Sequence, residues 1–247
     1  MMNAMMAFSG RNTKEILRDA LNLAFGLGFP VILLLLLTAI QSNIPVDLFR
    51  LEQLTPGIAV FGLSFISLFS ATLISKDRTT SFLMRLFASP MRASDYILGY
   101  TLPLIPMALA QSFLSFLVAG ALGMKLTLNA LLAIAVSLPA ALLFIGIGLL
   151  CGSVFNDKQV GGICGALLTN LSAWLSGTWF DLNLVGGVFK KIAYLLPFAH
   201  AVDAGRAAVT ANYADIMPHL WWVIGYALVL LLIAVFAFRK KMRQDGE

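Results

Sequence analysis

Between Lys76 and Asp95 the chain reads KDRTTSFLMRLFASPMRASD, and six of its twenty-nine formal charges fall there beside four bulky apolar residues. Phe82, Leu83, Leu86 and Phe87 sit at i, i+1, i+4 and i+5, one face of a short helix that Thr80 or Ser81 caps and Pro90 helps to stop. Such a face offers docking rather than bond making. A helix of about ten residues is marginal alone, so burying those four side chains must stabilise it against something. Two surfaces fit: the membrane interface, where amphipathic helices carry several Lys or Arg, or a groove on a soluble partner. Only Arg85 lies within the helix, with Arg78 and Arg92 beyond its ends. The spacing leaves both surfaces open.

Bond-making residues are scarce. The chain has no HExxH, no GxSxG and no GxxxxGK[ST] phosphate loop, and His200 and His219 are its only histidines. Cys151 and Cys164 fall in or beside apolar segments, where a thiol is a small hydrophobe. No catalytic residue, metal site or cofactor is assigned to this chain.

The elements that must position the docking face are membrane spans. Of 247 residues, 60% are hydrophobic and 12% charged, far from a soluble composition. Crossing the hydrocarbon takes about 20 apolar residues, and six uncharged runs qualify: Ala20 to Ile40, Pro56 to Ser75, Ile97 to Gly123, Leu128 to Cys151, Gln159 to Phe180 and Leu220 to Phe238. The third contains Pro103 and Pro106, so part of it is expected to kink or lie at the interface. The net charge of +5 follows topology rather than nucleic acid. Arg11, Lys14, Arg18, Lys76, Arg78, Arg85, Arg92, Lys158, Arg239, Lys240, Lys241 and Arg243 fall on one side; Arg50, Lys125, Lys190, Lys191 and Arg206 fall on the other. Both termini are therefore expected in the cytoplasm. The start, MMNAMMAFSGRNTKEILRD, lacks the order of a signal peptide, so the first span is expected to stay.

Within the six runs there is no Asp, Glu, Lys or Arg. An embedded charge costs about 2.5 to 3.5 kcal/mol on insertion scales and is kept where a proton relay needs it, so a proton-coupled carrier is disfavoured. Ser64, Ser67 and Ser70 recur every three residues in the second run, and the fifth holds Gly161, Gly165, Thr169, Asn170, Ser172 and Ser176. Both helices thus carry a polar or close-packing face. Asn170 stands out, because an amide in mid-membrane needs a partner. The connection from Asp181 to His219 is too apolar for a simple loop and too charged to cross, and is expected to form short helices dipping into the outer leaflet. Its Asp203 and Arg206 can pair on one turn. The terminal FRKKMRQDGE suits anionic lipid.

Four stretches, in order across most of the chain, resemble the permease subunit of an ATP-binding-cassette transporter of the type-2 exporter class. KEILRD at Lys14 to Asp19 before Phe29 and Pro30 is similar to the family's connecting helix. RLFASP, Arg85 to Pro90, resembles the end of its coupling helix. Gly152 to Phe155, followed by Leu175, Ser176 and Gly177, resembles the ends of its fourth and fifth spans. LPFAHAVDAGR, Leu196 to Arg206, is close to LPxxYxxExxR, with His200 for Tyr and Asp203 for Glu. Met84 stands where a Glu is common, and Thr79 to Phe82 replace an acidic, glycine-containing stretch.

The resemblance implies an all-α membrane protein with a single membrane domain over 1–247. It comprises a connecting helix over 1–19, a six-span permease over 20–238 and a cytoplasmic tail over 239–247, with a cytoplasmic coupling helix and an extracytoplasmic helical hairpin before the last span. It implies a dimer with a second permease subunit, identical or not, in a prokaryotic cell membrane. Separate nucleotide-binding subunits would hold ATP and Mg, with no nucleic acid involved. Arg78, Phe82, Leu83, Arg85, Leu86 and Phe87 would seat in the ATPase, with Lys14, Glu15 and Arg18 as a second contact. Ser64, Ser67, Ser70, Thr169, Asn170 and Ser172 would line the path; Pro197, His200, Asp203 and Arg206 belong to the outer hairpin. A path without fixed charge suits an amphipathic cargo such as a drug, antibiotic, peptide or lipid. Glycolipid or polysaccharide export is the alternative within the family, and a sodium-coupled carrier or a scaffold outside it.

Overall fold

The computed structural model describes residues 2–80, 82 and 91–244, and among them every regular element is helical. Helix α1 (Met2–Arg18) leads through Asp19, whose carboxylate accepts from the Asn22 N–H at 3.1 Å, into α2 (Ala20–Gln41), which is π-helical at Ala24–Gly28. Helices α3 (Leu51–Thr79), α4 (Ala93–Ala121) and α5 (Leu128–Val154) follow. Helix α6 covers 157–175 and is interrupted by a π-helical stretch at Gly161–Leu168. Short helices α7 (Leu182–Val185), α8 (Gly187–Leu195) and α9 (Pro197–Val209) precede α10 (Tyr213–Gln244).

Among the described residues, five helices are long and apolar enough to cross a membrane: α2, α3, α4, α5 and Tyr213–Lys240 of α10. The fifth apolar run, Gln159 to Phe180, is helical only to Leu175 and is not among them. Its glycines at 161, 162 and 165 weaken an α-helix, and the wide turn there breaks the regular ladder. The third run lies in one helix: α4 starts at Ala93 and continues through Pro103 and Pro106. Its start is fixed by Asp95, whose Oδ2 accepts from the Arg92 N–H at 2.9 Å.

Helix α3 is the axis. In its most apolar stretch 83% of residues are buried, against 17% in α2 and in α10, which are peripheral. Glu52 in its first turn and Lys76 and Arg78 in its last complement the helix dipole. It packs closest against α5. A side chain at Gly148 would strike the Ser67 carbonyl oxygen, and one at Gly152 would lie 2.5 Å from that of Ala71. This GxxxG spacing lets two backbones approach and gain dispersion contacts, the main attraction between helices where lipid is as apolar as leucine.

Candidate functional site

At the end of the bundle where α1 lies, four consecutive residues of α3 each hold a different element. Ser75 Oγ donates to Asp157 Oδ1 at 3.0 Å, at the start of α6. Lys76 pairs with Asp19 at 3.6 Å, between α1 and α2. Asp77, 3% exposed, receives Arg11 Nη1 of α1 at 2.6 Å and the Tyr100 hydroxyl of α4 at 2.9 Å on the same oxygen. Arg78 donates to the carbonyls of Gly152 and Phe155 at 2.9 and 3.1 Å, closing the end of α5. Charge-assisted bonds of this length are about twice as strong as neutral ones, and a buried carboxylate demands them.

Helix α1 docks on the same cluster. Asn12 Nδ2 donates to the Gly99 carbonyl at 3.1 Å, and a side chain at Gly99 would collide with the Phe8 ring. Phe8 packs edge-on to Tyr100 with centroids 4.9 Å apart. Phe82 lies nearly parallel to Phe8 at 6.4 Å, and the Arg11 guanidinium sits 4.4 Å above the Phe82 ring. Of the expected coupling residues, Phe82 is thus half-buried against α1 and Arg78 is engaged within the chain, while Lys14, Glu15 and Arg18 stand exposed on the outer side of α1. Leu83, Arg85, Leu86 and Phe87 lie outside the described residues.

The hydroxyl residues distribute differently. Ser64, Ser67 and Ser70 are fully buried within the chain. Ser64 Oγ donates to the Phe61 carbonyl at 2.6 Å, and Ser70 Oγ to that of Ile145 at 3.2 Å. In α6, Thr169 and Ser172 are buried and bonded to the carbonyls of Cys164 and Thr169. Asn170 is exposed and satisfies its amide on the Ala166 carbonyl at 2.8 Å.

At the opposite end a continuous chain of hydrogen bonds fastens α8, α9 and α10. Nδ1 of His219 and Nδ1 of His200 are 2.8 Å apart, and His200 Nε2 bonds the Tyr194 carbonyl at 2.9 Å. The Tyr194 hydroxyl donates to Asp203 Oδ2 at 2.7 Å, and Asp203 pairs with Arg206 at 3.6 Å. Arg206 donates onward to the carbonyls of Gln53 in α3 and of Gly177. Gly177 has φ +70, the left-handed conformation that closes the LSG turn. Pro197 opens α9 at its first turn, where its missing N–H costs nothing. Burial lowers His200 below the ordinary 6.5, lowers Arg206, and raises Tyr194 with help from Asp203. A polar pocket of about 220 Å³ opens beside Asp203 and Arg206, between Gln53, Thr178 and Asp181.

In the sequence Arg11 stands among the topology charges, while Asp77 and Tyr100 carry no assignment. The signal was present: Ser67, Ser70, Ile74 and Asp77 are spaced three, four and three, so Asp77 continues the buried stripe of α3.

A family model for the ABC-2 type transporter matches residues 3–210. The chain belongs to the ABC-2 type transporter family. It is also similar to ABC transporter G family member 20 of Dictyostelium discoideum, at 26% identity over 201 residues, 77% of this chain and 27% of that protein. The chain thus spans about a quarter of that relative's length.

Proposed function

We propose that this ABC-2 type chain is the membrane subunit of an ATP-driven exporter. It takes its power stroke from separate ATPase subunits on the α1 face, with both termini in the cytoplasm of a prokaryotic cell. The observation that carries this is the Asp77 cluster, which joins α1, the end of α3 and the start of α4 into one unit. Residues 80–91 leave from that unit, so a push on Leu86 or Phe87 would move three helices together. Helix α6 completes six crossings, and its exposed side with Gly162 and Asn170 seats a second permease subunit. With the serines of α3 turned inward, the cargo meets mainly apolar surface, which suits an amphipathic drug, peptide or lipid.

The test is co-expression with the adjacent nucleotide-binding subunit. Leu86→Asp should abolish both co-purification and ATP-dependent efflux while leaving the purified membrane subunit monodisperse. Retained binding or efflux would sink the assignment.

A further inference from the structure

Helix α10 carries a groove of about 610 Å³ lined by Pro218, Trp221, Trp222, Gly225, Tyr226 and Val229. Its floor exists because Gly225 has no side chain, and a Cβ there would meet nothing within 4 Å. Glycine weakens a helix interior relative to alanine, and no packing among the described residues requires it here. The walls are held in place. Trp222 stacks flat on His200, planes 2° apart and centroids 5.1 Å apart, and the Tyr226 hydroxyl donates to the Leu195 carbonyl at 2.8 Å. A preformed groove loses little side-chain freedom on filling.

Its length and chemistry select an occupant. From Pro218 to Val229 a helix rises about 16 Å, roughly half of the ~30 Å hydrocarbon core and so the depth of one leaflet. The groove continues into the exposed apolar face formed by Leu228, Leu232 and Phe236, the face of a peripheral span that meets lipid. Trp221, Trp222 and Tyr226 cluster near the hairpin end, where amphipathic rings mark the headgroup level. On α8, whose Leu195 carbonyl meets the Tyr226 hydroxyl, Lys191 stands exposed one turn before Leu195 and makes no hydrogen bond or ion pair among the described residues. Its neighbour Lys190 is engaged by Asn183 at 2.6 Å. We infer that this groove holds one acyl chain of an anionic phospholipid in the leaflet beside the hairpin, with its phosphate meeting Lys191.

The protein in phosphatidylcholine nanodiscs containing a phosphatidylglycerol probe with a diazirine in its acyl chain provides the test. Mass spectrometry should place the cross-links at residues 221–229. Gly225→Leu, for which there is open space, should move them away, and Lys191→Gln should lower labelling about fivefold, the equivalent of about 1 kcal/mol at 1.4 kcal/mol per tenfold. Labelling spread evenly over Leu228, Leu232 and Phe236, or unchanged in both variants, would overturn the site. So would equal labelling by a phosphatidylcholine probe, or disulfide-linked copies of Trp221→Cys, which would mean that a second chain covers the groove. Circular dichroism and gel filtration of each variant separate loss of lipid from loss of fold.

Discussion

Arg11 and Asp77, 66 positions apart in the chain, meet at 2.6 Å and make the first helix part of the bundle rather than a tail. Only Asp77 is buried, with 4% of its side chain exposed against 34% for Arg11, so the cost of separation falls on the carboxylate. Arg11→Ala should therefore cost about 2 kcal/mol, discounted for the exposure of the guanidinium. Amide hydrogen exchange over residues 2–18 should quicken accordingly. Unchanged exchange would mean that Phe8 and Asn12 alone dock α1.

The α3–α5 contact has no room for methyl groups. Gly148→Val and Gly152→Val should each destabilise by about 1 to 3 kcal/mol, the usual range for an overpacked core, read as a lower Tm in a thermal unfolding scan. Gly161→Ala is the control: nothing lies within 4 Å of its added Cβ, and its Tm should not fall.

The hairpin should loosen in acid. His200 is lowered below 6.5 chiefly by burial, with His219 adding to the effect and Asp203 and the Tyr194 carbonyl opposing it. Below 6.5 the unfolded state therefore binds more protons than the folded one, and stability present above that value is lost as pH falls through the lowered pKa. Hydrogen bonding gives the same sign. With Nε2–H on the Tyr194 carbonyl, His200 accepts from His219 at Nδ1, and a proton there breaks that contact. Protection factors across 187–209, corrected for the intrinsic pH dependence of amide exchange, should be lower at pH 5.5 than at 7.5, and His200→Gln should abolish the difference.

Arg206 ties the hairpin to the start of α3 and to the Gly177 turn through two separate carbonyls. Lysine cannot reproduce that fork. Arg206→Lys should cost about 1 to 3 kcal/mol and speed proteolysis near 177–187, and Arg206→Ala should be no milder. If protection in Arg206→Lys matched the parent, the charge rather than the geometry would be what holds the hairpin.

How far the sequence could be read depended on which force set each element. Uncharged runs of crossing length located α2, α3, α4, α5 and α10, because burial of apolar surface alone decides where such helices lie. The helical character of 181–209 was legible from its mix of apolar patches and charges, as was the Asp203–Arg206 pair from its spacing. The break in α6 was not, because hydropathy does not report how a glycine-rich segment winds. Nor was the Asp77 cluster: a carboxylate one turn past an apolar run reads as solvated until Arg11 and Tyr100, distant in sequence, are brought to it. The serine faces could be seen, but not which way they turn; only the fold brings Ser70 to α5, where its Oγ donates to the Ile145 carbonyl.

The π-helical stretch at Gly161–Leu168 has a mechanical corollary. A wide turn packs more residues into each coil and so advances less per residue than the 1.5 Å of an α-helix. Those eight residues span less length than they would as ordinary α-helix: rewinding them would lengthen the rod and swivel everything beyond Thr169, with no bond in the backbone cut and no residue added.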